Sequence, residues 1–177
     1  MARLSHVDDA GRARMVDVGG KRETRRAAVA EGTVVLSEEA FRRVRQNELA
    51  KGDVLTVAKL AGIQGAKETS RLIPLCHPIP IDAIRLELSL VPAARAVRIR
   101  AEVATRAATG VEMEAMTAVT VAALAVYDMC KGVDRMGTIG EVRLLRKSGG
   151  RSGTWIRPTP LRSAPPAPRK GPRGRRA

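Results

Sequence analysis

Two carboxylates and an amine stand where helical spacing gives them a shared purpose. An apolar run extends from Thr109 to Gly132, and its charges lie only at its ends: Glu112 and Glu114 at the start, Asp128 and Lys131 at the finish. Glu112 and Glu114 suit a helix N-terminus, where the dipole favours negative charge. Asp128 opposes that dipole, which should raise its pKa, and Lys131 three residues on shares its face and opposes the rise. The same face runs back through Leu124, Val121 and Thr117 to Glu114 in steps of four and three. A carboxylate and an amine with shifted pKa values serve proton transfer. An i,i+3 ion pair that merely caps a core helix is the alternative reading. His77, between Cys76 and Pro78 on a segment that its prolines keep non-helical, and Lys51, beside Gly52, are further loop-borne candidates.

The elements that must position these groups follow from periodicity. Met15–Val18 reads as a short strand before a Gly19-Gly20-Lys21 loop, and Arg25–Leu36 as a strand bent near Gly32. Ser37 is an N-cap candidate, with Glu38 and Glu39 in the first turn of a helix that reaches about Leu49. Asp53 caps a second helix from Val54 to about Leu72, whose face of Ala58, Ala61, Gly62, Gly65 and Ala66 invites close approach of another backbone. Ile84, Leu86, Leu88 and Leu90 alternate with polar residues, and Val97, Ile99, Ala101 and Val103 do the same after a turn at Pro92-Ala93-Ala94. These two stretches predict a hairpin with one wet face. The long helix follows, then a strand over Glu141–Arg146. The order strand, helix pair, strand, strand, helix, strand predicts an α+β fold of the ferredoxin-like, split βαβ kind, with helices on one face of an antiparallel sheet.

Composition sets the limits. The 177 residues suit one domain. Aromatic residues are only 2%, so the core must be built from Ala, Val, Leu, Ile and Met. The net charge is +14, and half of it sits in the segment from Arg157 to Ala177, which carries seven basic residues and no acidic one. We read residues 1–156 as a single domain and 157–177 as a disordered basic tail. A basic domain suits an anionic partner. The scarcity of aromatic stacking platforms favours a small phosphorylated ligand over single-stranded nucleic acid. Two cysteines without a CxxC pair, no apolar leader at the N-terminus and no apolar run of membrane-spanning length predict a reduced, cytoplasmic protein without a membrane partner. The loop Lys147-Ser148-Gly149-Gly150-Arg151-Ser152-Gly153 can cradle phosphate with its amides and cations, or can be a plain linker.

Taken in order from residue 4 to 153, the chain resembles the cyclic pyranopterin monophosphate synthase family, the MoaC proteins. The resemblance rests on Met15-Val16-Asp17-Val18, Lys51-Gly52-Asp53-Val54, Ala61-Gly62-Ile63-Gln64 and Leu72-Ile73-Pro74-Leu75-Cys76-His77-Pro78. It continues through Thr109-Gly110-Val111-Glu112-Met113-Glu114-Ala115, Tyr127-Asp128-Met129-Cys130-Lys131, Val142-Arg143-Leu144-Leu145 and Lys147-Ser148-Gly149-Gly150. The basic tail after Trp155 departs from the pattern.

The resemblance implies a lyase of molybdenum cofactor biosynthesis. Its substrate would be (8S)-3′,8-cyclo-7,8-dihydroguanosine 5′-triphosphate and its products cyclic pyranopterin monophosphate and diphosphate. It further implies Asp128 as catalytic residue with Lys131, Lys51 and His77 around it. The implied substrate-binding residues are Leu75, Cys76, His77, Glu112, Met113 and Glu114. Lys67 and Lys147, with Lys51, suit an anionic leaving group. No cofactor and no resident metal are implied, and the family's assembly is a hexamer, a trimer of dimers. Glu114 and Asp128 are about 21 Å apart along one helix, so a site that uses both would be shared between subunits. The rival readings are a nucleic-acid-binding module, favoured by the charge, and an assembly protein without a catalytic site.

Overall fold

The computed structural model describes Val7 and residues 10–158; the tail predicted from Arg157 therefore lies almost wholly outside the described residues. Five strands and four helices follow in the order β1 (Thr24–Val35), α1 (Glu38–Gln46), α2 (Val54–Lys67), α3 (Thr69–Leu72), β2 (Ala83–Val91), β3 (Ala96–Ala107), α4 (Glu112–Cys130), β4 (Thr138–Ser148) and β5 (Trp155–Ile156). The sheet runs β2-β3-β1-β4-β5 with every neighbouring pair antiparallel. Its first four strands have the predicted split βαβ order, and the two-residue β5 is an addition the periodicity did not reveal. Residues 15–18 form no strand: Asp17 instead accepts from the Gly19 amide at 2.8 Å, closing a local turn.

Local sequence explains most boundaries. Ser37 caps α1, its hydroxyl accepting from the Ala40 amide at 3.3 Å, and the helix stops early because Asn47 enters the left-handed region at φ 55. Asp53 caps α2 through the amides of Leu55 and Thr56 at 3.0 and 3.1 Å. The single helix expected to reach Leu72 breaks at Glu68, and α3 continues as one separate turn. Between Val29 and Thr33 the register of β1 against β4 shifts twice, which is the bend expected near Gly32.

One face of the sheet is covered by α2 and α4. Ala28, Ala30 and Val34 of β1 and Val97, Ile99, Ala101 and Val103 of β3 are buried there. The other face shows Arg98, Arg100 and Glu102 to solvent. α4 is long and apolar enough to cross a membrane, contrary to the sequence reading, but its Ala115, Ala118, Val119, Ala122, Ala123 and Val126 are wholly buried against the sheet and α2. It is the core helix of the domain.

With few large side chains to fill space, α2 comes close to α4. A Cβ on Gly62 would stand 2.7 Å from the Ala118 carbonyl oxygen, and one on Gly65 would stand 2.7 Å from the Val121 side chain. Alanine in a helix is favoured over glycine by about 1 kcal/mol, but overpacking costs about 1–3 kcal/mol. At Gly62 the obstacle is backbone that cannot step aside, so the packing effect wins. Gly62→Ala should lower the unfolding free energy by about 1–2 kcal/mol, measurable by urea denaturation, whereas Gly52→Ala, where a Cβ meets nothing within 4 Å, should show only the strain of its φ of 92.

Candidate active site

Three structural units hold the chemically capable residues. The first lies at the C-terminal end of α4. Lys131 Nζ is 2.6 Å from Asp128 Oδ1, and Lys51 Nζ is 2.9 Å from both Asp128 Oδ2 and the Asp128 carbonyl oxygen. Lys51 is brought there by a turn after α1 that closes with Gly52 in the left-handed region, the Gly52 amide donating to the Leu49 carbonyl at 2.9 Å. Asp128 is 54% exposed, and hydrogen bonds from Lys131 and then Lys51 hold its carboxyl down at about 2. The dipole effect expected from the sequence therefore loses to two ammonium groups in direct contact. Lys131 is shifted upward, chiefly by its hydrogen bond to Asp128. The resting cluster is one carboxylate between two ammonium ions.

The second unit surrounds the start of α4. A cavity of about 970 Å³ is lined by Lys21, Arg22, Arg26, Glu112 and Lys147 together with the Gly149–Ser152 loop. Lys147 Nζ donates to Glu112 Oε1 at 2.8 Å across the cavity wall. Arg26 Nε and Nη2 donate to the carbonyls of Ala107 and Ala108 at 3.4 and 3.2 Å, which fixes the guanidinium beneath the glycine loop. Gly149 and Gly150 have φ of 96 and 72. A Cβ on Gly149 would collide with the Arg25 carbonyl, so the loop closes over β1 only because that position carries no side chain. The phosphate-cradle reading of this loop gains its cavity. Arg151 belongs to the loop whose cations the sequence already offers to phosphate, whereas Lys21, Arg22 and Arg26 line the cavity without a sequence signal of their own. The alternation of β1 alone did not show that Arg26 ends beneath a loop more than a hundred residues away.

The third unit is a buried carboxyl. Glu114 is 4% exposed, its Oε2 has no hydrogen-bond partner, and burial raises its pKa. Cys76 is close enough for the Glu114 charge to add to the burial that raises its own thiol. Leu75 and His77 flank that cysteine on the segment leading to β2, and Lys67 lines a smaller groove with Ile63, Ile79 and Ile81. Met113 is exposed beside Glu114. The face proposed to run from Asp128 back to Glu114 does not have one environment: Thr117 and Glu114 are buried, while Leu124 is 54% exposed. Among the described residues no group of three or more His, Cys, Asp and Glu is placed to hold a metal ion.

Within one chain, then, Lys51, Asp128 and Lys131 meet at one end of α4, and Glu112, Glu114 and Lys147 gather at the other. The arrangement defines a ferredoxin-like α+β domain with a polyanion-sized cationic cavity and a carboxylate–ammonium cluster. The sequence profile of the MoaC family matches residues 15–150. A cyclic pyranopterin monophosphate synthase of Heliobacterium modesticaldum is 53% identical over 154 residues, covering 87% of this chain and 97% of that protein. One of Thermomicrobium roseum is 54% identical over 157 residues, covering 89% of this chain and 95% of the relative. Molybdenum cofactor biosynthesis protein 1 of Mus musculus is 54% identical over 154 residues, 87% of this chain but 24% of the mouse protein. The chain belongs to the MoaC family.

The buried carboxyl makes a sign-definite expectation. The folded-state pKa of Glu114 is raised above its unfolded value, so its protonated form is the one folding favours. Its contribution to stability is fully present below about 4.5 and is lost as pH rises through the folded value. Glu114→Gln should therefore gain stability relative to the parent as pH is raised from 4 to 8, measured as melting temperature at each pH; equal pH slopes would contradict an unpartnered carboxyl.

Proposed function

We propose that this protein is a cyclic pyranopterin monophosphate synthase, a lyase that converts (8S)-3′,8-cyclo-7,8-dihydroguanosine 5′-triphosphate to cyclic pyranopterin monophosphate and releases diphosphate in molybdenum cofactor biosynthesis. The observation that carries the reading is identity above 50% to curated synthases over nearly their whole length. The cluster at Asp128 and the cationic cavity supply groups of the kinds the chemistry needs.

Rebuilding the purine-derived ring moves several protons, and closing the cyclic phosphate expels diphosphate. Asp128, a carboxylate at neutral pH, is the proton acceptor in this reading, and Lys131 and Lys51 are cations that neutralise charge developing on phosphate oxygens. Substrate phosphates that draw the two ammonium groups away would also remove what depresses the Asp128 pKa, so binding itself would make that carboxylate a stronger base. Glu114, held toward its neutral form by burial, suits the opposite task of giving a proton. His77, Leu75, Cys76 and Met113 contact substrate in this reading. Lys67 and Lys147 stand with Arg26 as phosphate partners, and Glu112 orients Lys147.

The two ends of α4 serve one substrate only if two subunits combine, since about 21 Å of helix separates Glu114 from Asp128. Two such helices packed antiparallel across a two-fold axis place the start of one beside the end of the other. Val57 and Leu60 of α2 and Leu124 of α4 are exposed apolar residues on the helical layer, and a partner there would cover them. A hexamer built from such dimers is the assembly we propose. Cys76 and Cys130 are both free thiols, which suits a cytoplasmic enzyme. The segment beyond Arg157 is outside the catalytic unit in this reading.

Asp128→Asn and Lys131→Ala should fold normally and lose turnover by two orders of magnitude or more, read as diphosphate release from the cyclised substrate; near-normal rates would remove both from the mechanism. Mixing inactive Glu114→Ala with inactive Asp128→Asn protein under subunit exchange should restore part of the activity, because some mixed dimers carry one intact site. No recovery despite demonstrated exchange would count against a shared site. Removing residues 158–177 should leave kcat and KM unchanged.

A further inference from the structure

The domain has a second buried carboxyl, and its circumstances are the reverse of those of Glu114. Asp134 lies in the turn between α4 and β4 and is 5% exposed. Its Oδ2 accepts from the Ser37 amide at 2.6 Å and its Oδ1 from the Met136 amide at 2.9 Å. Ser37 is the residue at which β1 gives way to α1, and the two partners are 97 positions apart. The turn itself is wound tightly onto the end of α4: the amides of Val133 and Asp134 both donate to the Cys130 carbonyl, at 2.8 and 2.9 Å. The Tyr127 hydroxyl donates to the Arg135 carbonyl at 3.2 Å.

This contact joins two segments that matter. The α1 segment leads, nine helical residues and one turn later, to Lys51. The α4 segment carries Asp128 and Lys131 immediately before the turn. Lys51 reaches Asp128 through an exposed ion pair between long, flexible side chains, and such pairs hold geometry weakly. The Asp134–Ser37 contact is charge-assisted and buried on its Asp134 side, the kind of hydrogen bond that fixes geometry. We propose that Asp134 is a positioning residue for the Lys51–Asp128–Lys131 cluster: beyond the pairing of Val35 with Thr138, its carboxylate fastens the turn after α4 to the start of α1, and so helps hold Lys51 and Asp128 at hydrogen-bonding distance. The proposal rests on the catalytic reading of that cluster given above.

The charged and titratable groups around the anchor are few. Cys130 lies beneath it, its thiol pushed up to about 11 by burial and by the Asp134 charge. Arg135 follows it in the chain, and the cluster residues Lys51, Asp128 and Lys131 lie one turn back. The Asp134 carboxyl is held below its usual range, first by the Ser37 amide, so at neutral pH the anchor is ionised and acts only as an acceptor.

Two substitutions remove the contact from opposite sides. In Asp134→Asn one side-chain oxygen becomes an amide group, which cannot accept from Ser37 and Met136 at once. In Ser37→Pro the donor is deleted from the backbone, at a residue whose φ of −60 already suits proline. Val103→Ala, a cavity far from the turn in a wholly buried position, is the control for lost stability. The measurements are steady-state turnover of the cyclised substrate and an NMR titration of the Asp128 carboxyl carbon, which needs no turnover. With the anchor gone, Lys51 should spend less time on Asp128. The Asp128 titration should then rise from about 2 toward the ordinary carboxylate value. kcat should fall roughly tenfold to a hundredfold, the scale of small misplacements, while KM changes little because the cavity around Lys147 is untouched. Val103→Ala should move neither. An Asp128 titration unchanged in both anchor variants would overturn the inference and leave the catalytic reading standing. A raised titration with kcat intact would instead overturn the catalytic role of the cluster, and with it the role of Asp134 in positioning.

Discussion

The structure depends on how closely α2 can approach α4. A domain with three aromatic residues cannot fill its interior with large rings, and its two main helices nearly touch. Gly62 and Gly65 permit this, with room for no Cβ between them and Ala118, Ala122 and Val121. Close backbones let Ala and Val alone reach the packing density that dispersion requires. α4 is buried along one side from Glu114 to Cys130, and Asp128 stands at the surface because it lies on the other side of the last turn, between the buried Val126 and Met129.

Three carboxyls near this helix show how environment assigns roles. Asp128 is exposed and gripped by two ammonium groups, which drives it down to about 2. Asp134 is buried but fully met by backbone amides, and it too is lowered. Glu114 is buried with an oxygen that nothing meets, and it is raised. Burial by itself therefore does not set the direction of a shift; burial less the hydrogen bonds offered to the charged form does. A site that needs both an ionised carboxylate and a protonated carboxylic acid near neutral pH can obtain them from two carboxyl side chains by this means alone.

The cationic cavity depends on a different constraint. Its wall is the Gly149–Ser152 loop, and Gly149 and Gly150 take left-handed backbone that other residues adopt only under strain. Arg26 is bound to two carbonyls below them, so its charge is delivered without a flexible arm. In the proposed reading, a cation fixed beneath this loop would meet phosphate with little reorganisation.

Much of this protein is legible in its residues alone. Apolar alternation at Ile84–Leu90 and Val97–Val103, capping at Ser37 and Asp53, and the small-residue face of α2 are local signals, and local physics sufficed to place β1–β4 and the long helices in order, though not β5, the break at Glu68 or the absence of a strand at 15–18. The charges at the two ends of α4 were visible for the same reason, because helix geometry relates residues three and four apart whatever surrounds them. What only the tertiary structure decided is every property that depends on residues distant in sequence. Asp128 is lowered rather than raised because Lys131, its helix neighbour, is joined by Lys51 from 77 positions away. Arg26 belongs to a phosphate-sized cavity because the loop after β4 folds over the start of β1. Asp134, which has no periodic or motif signature at all, is held by an amide 97 positions back. Electrostatic environment and burial are sums over neighbours in space, and sequence spacing records only the neighbours within a turn.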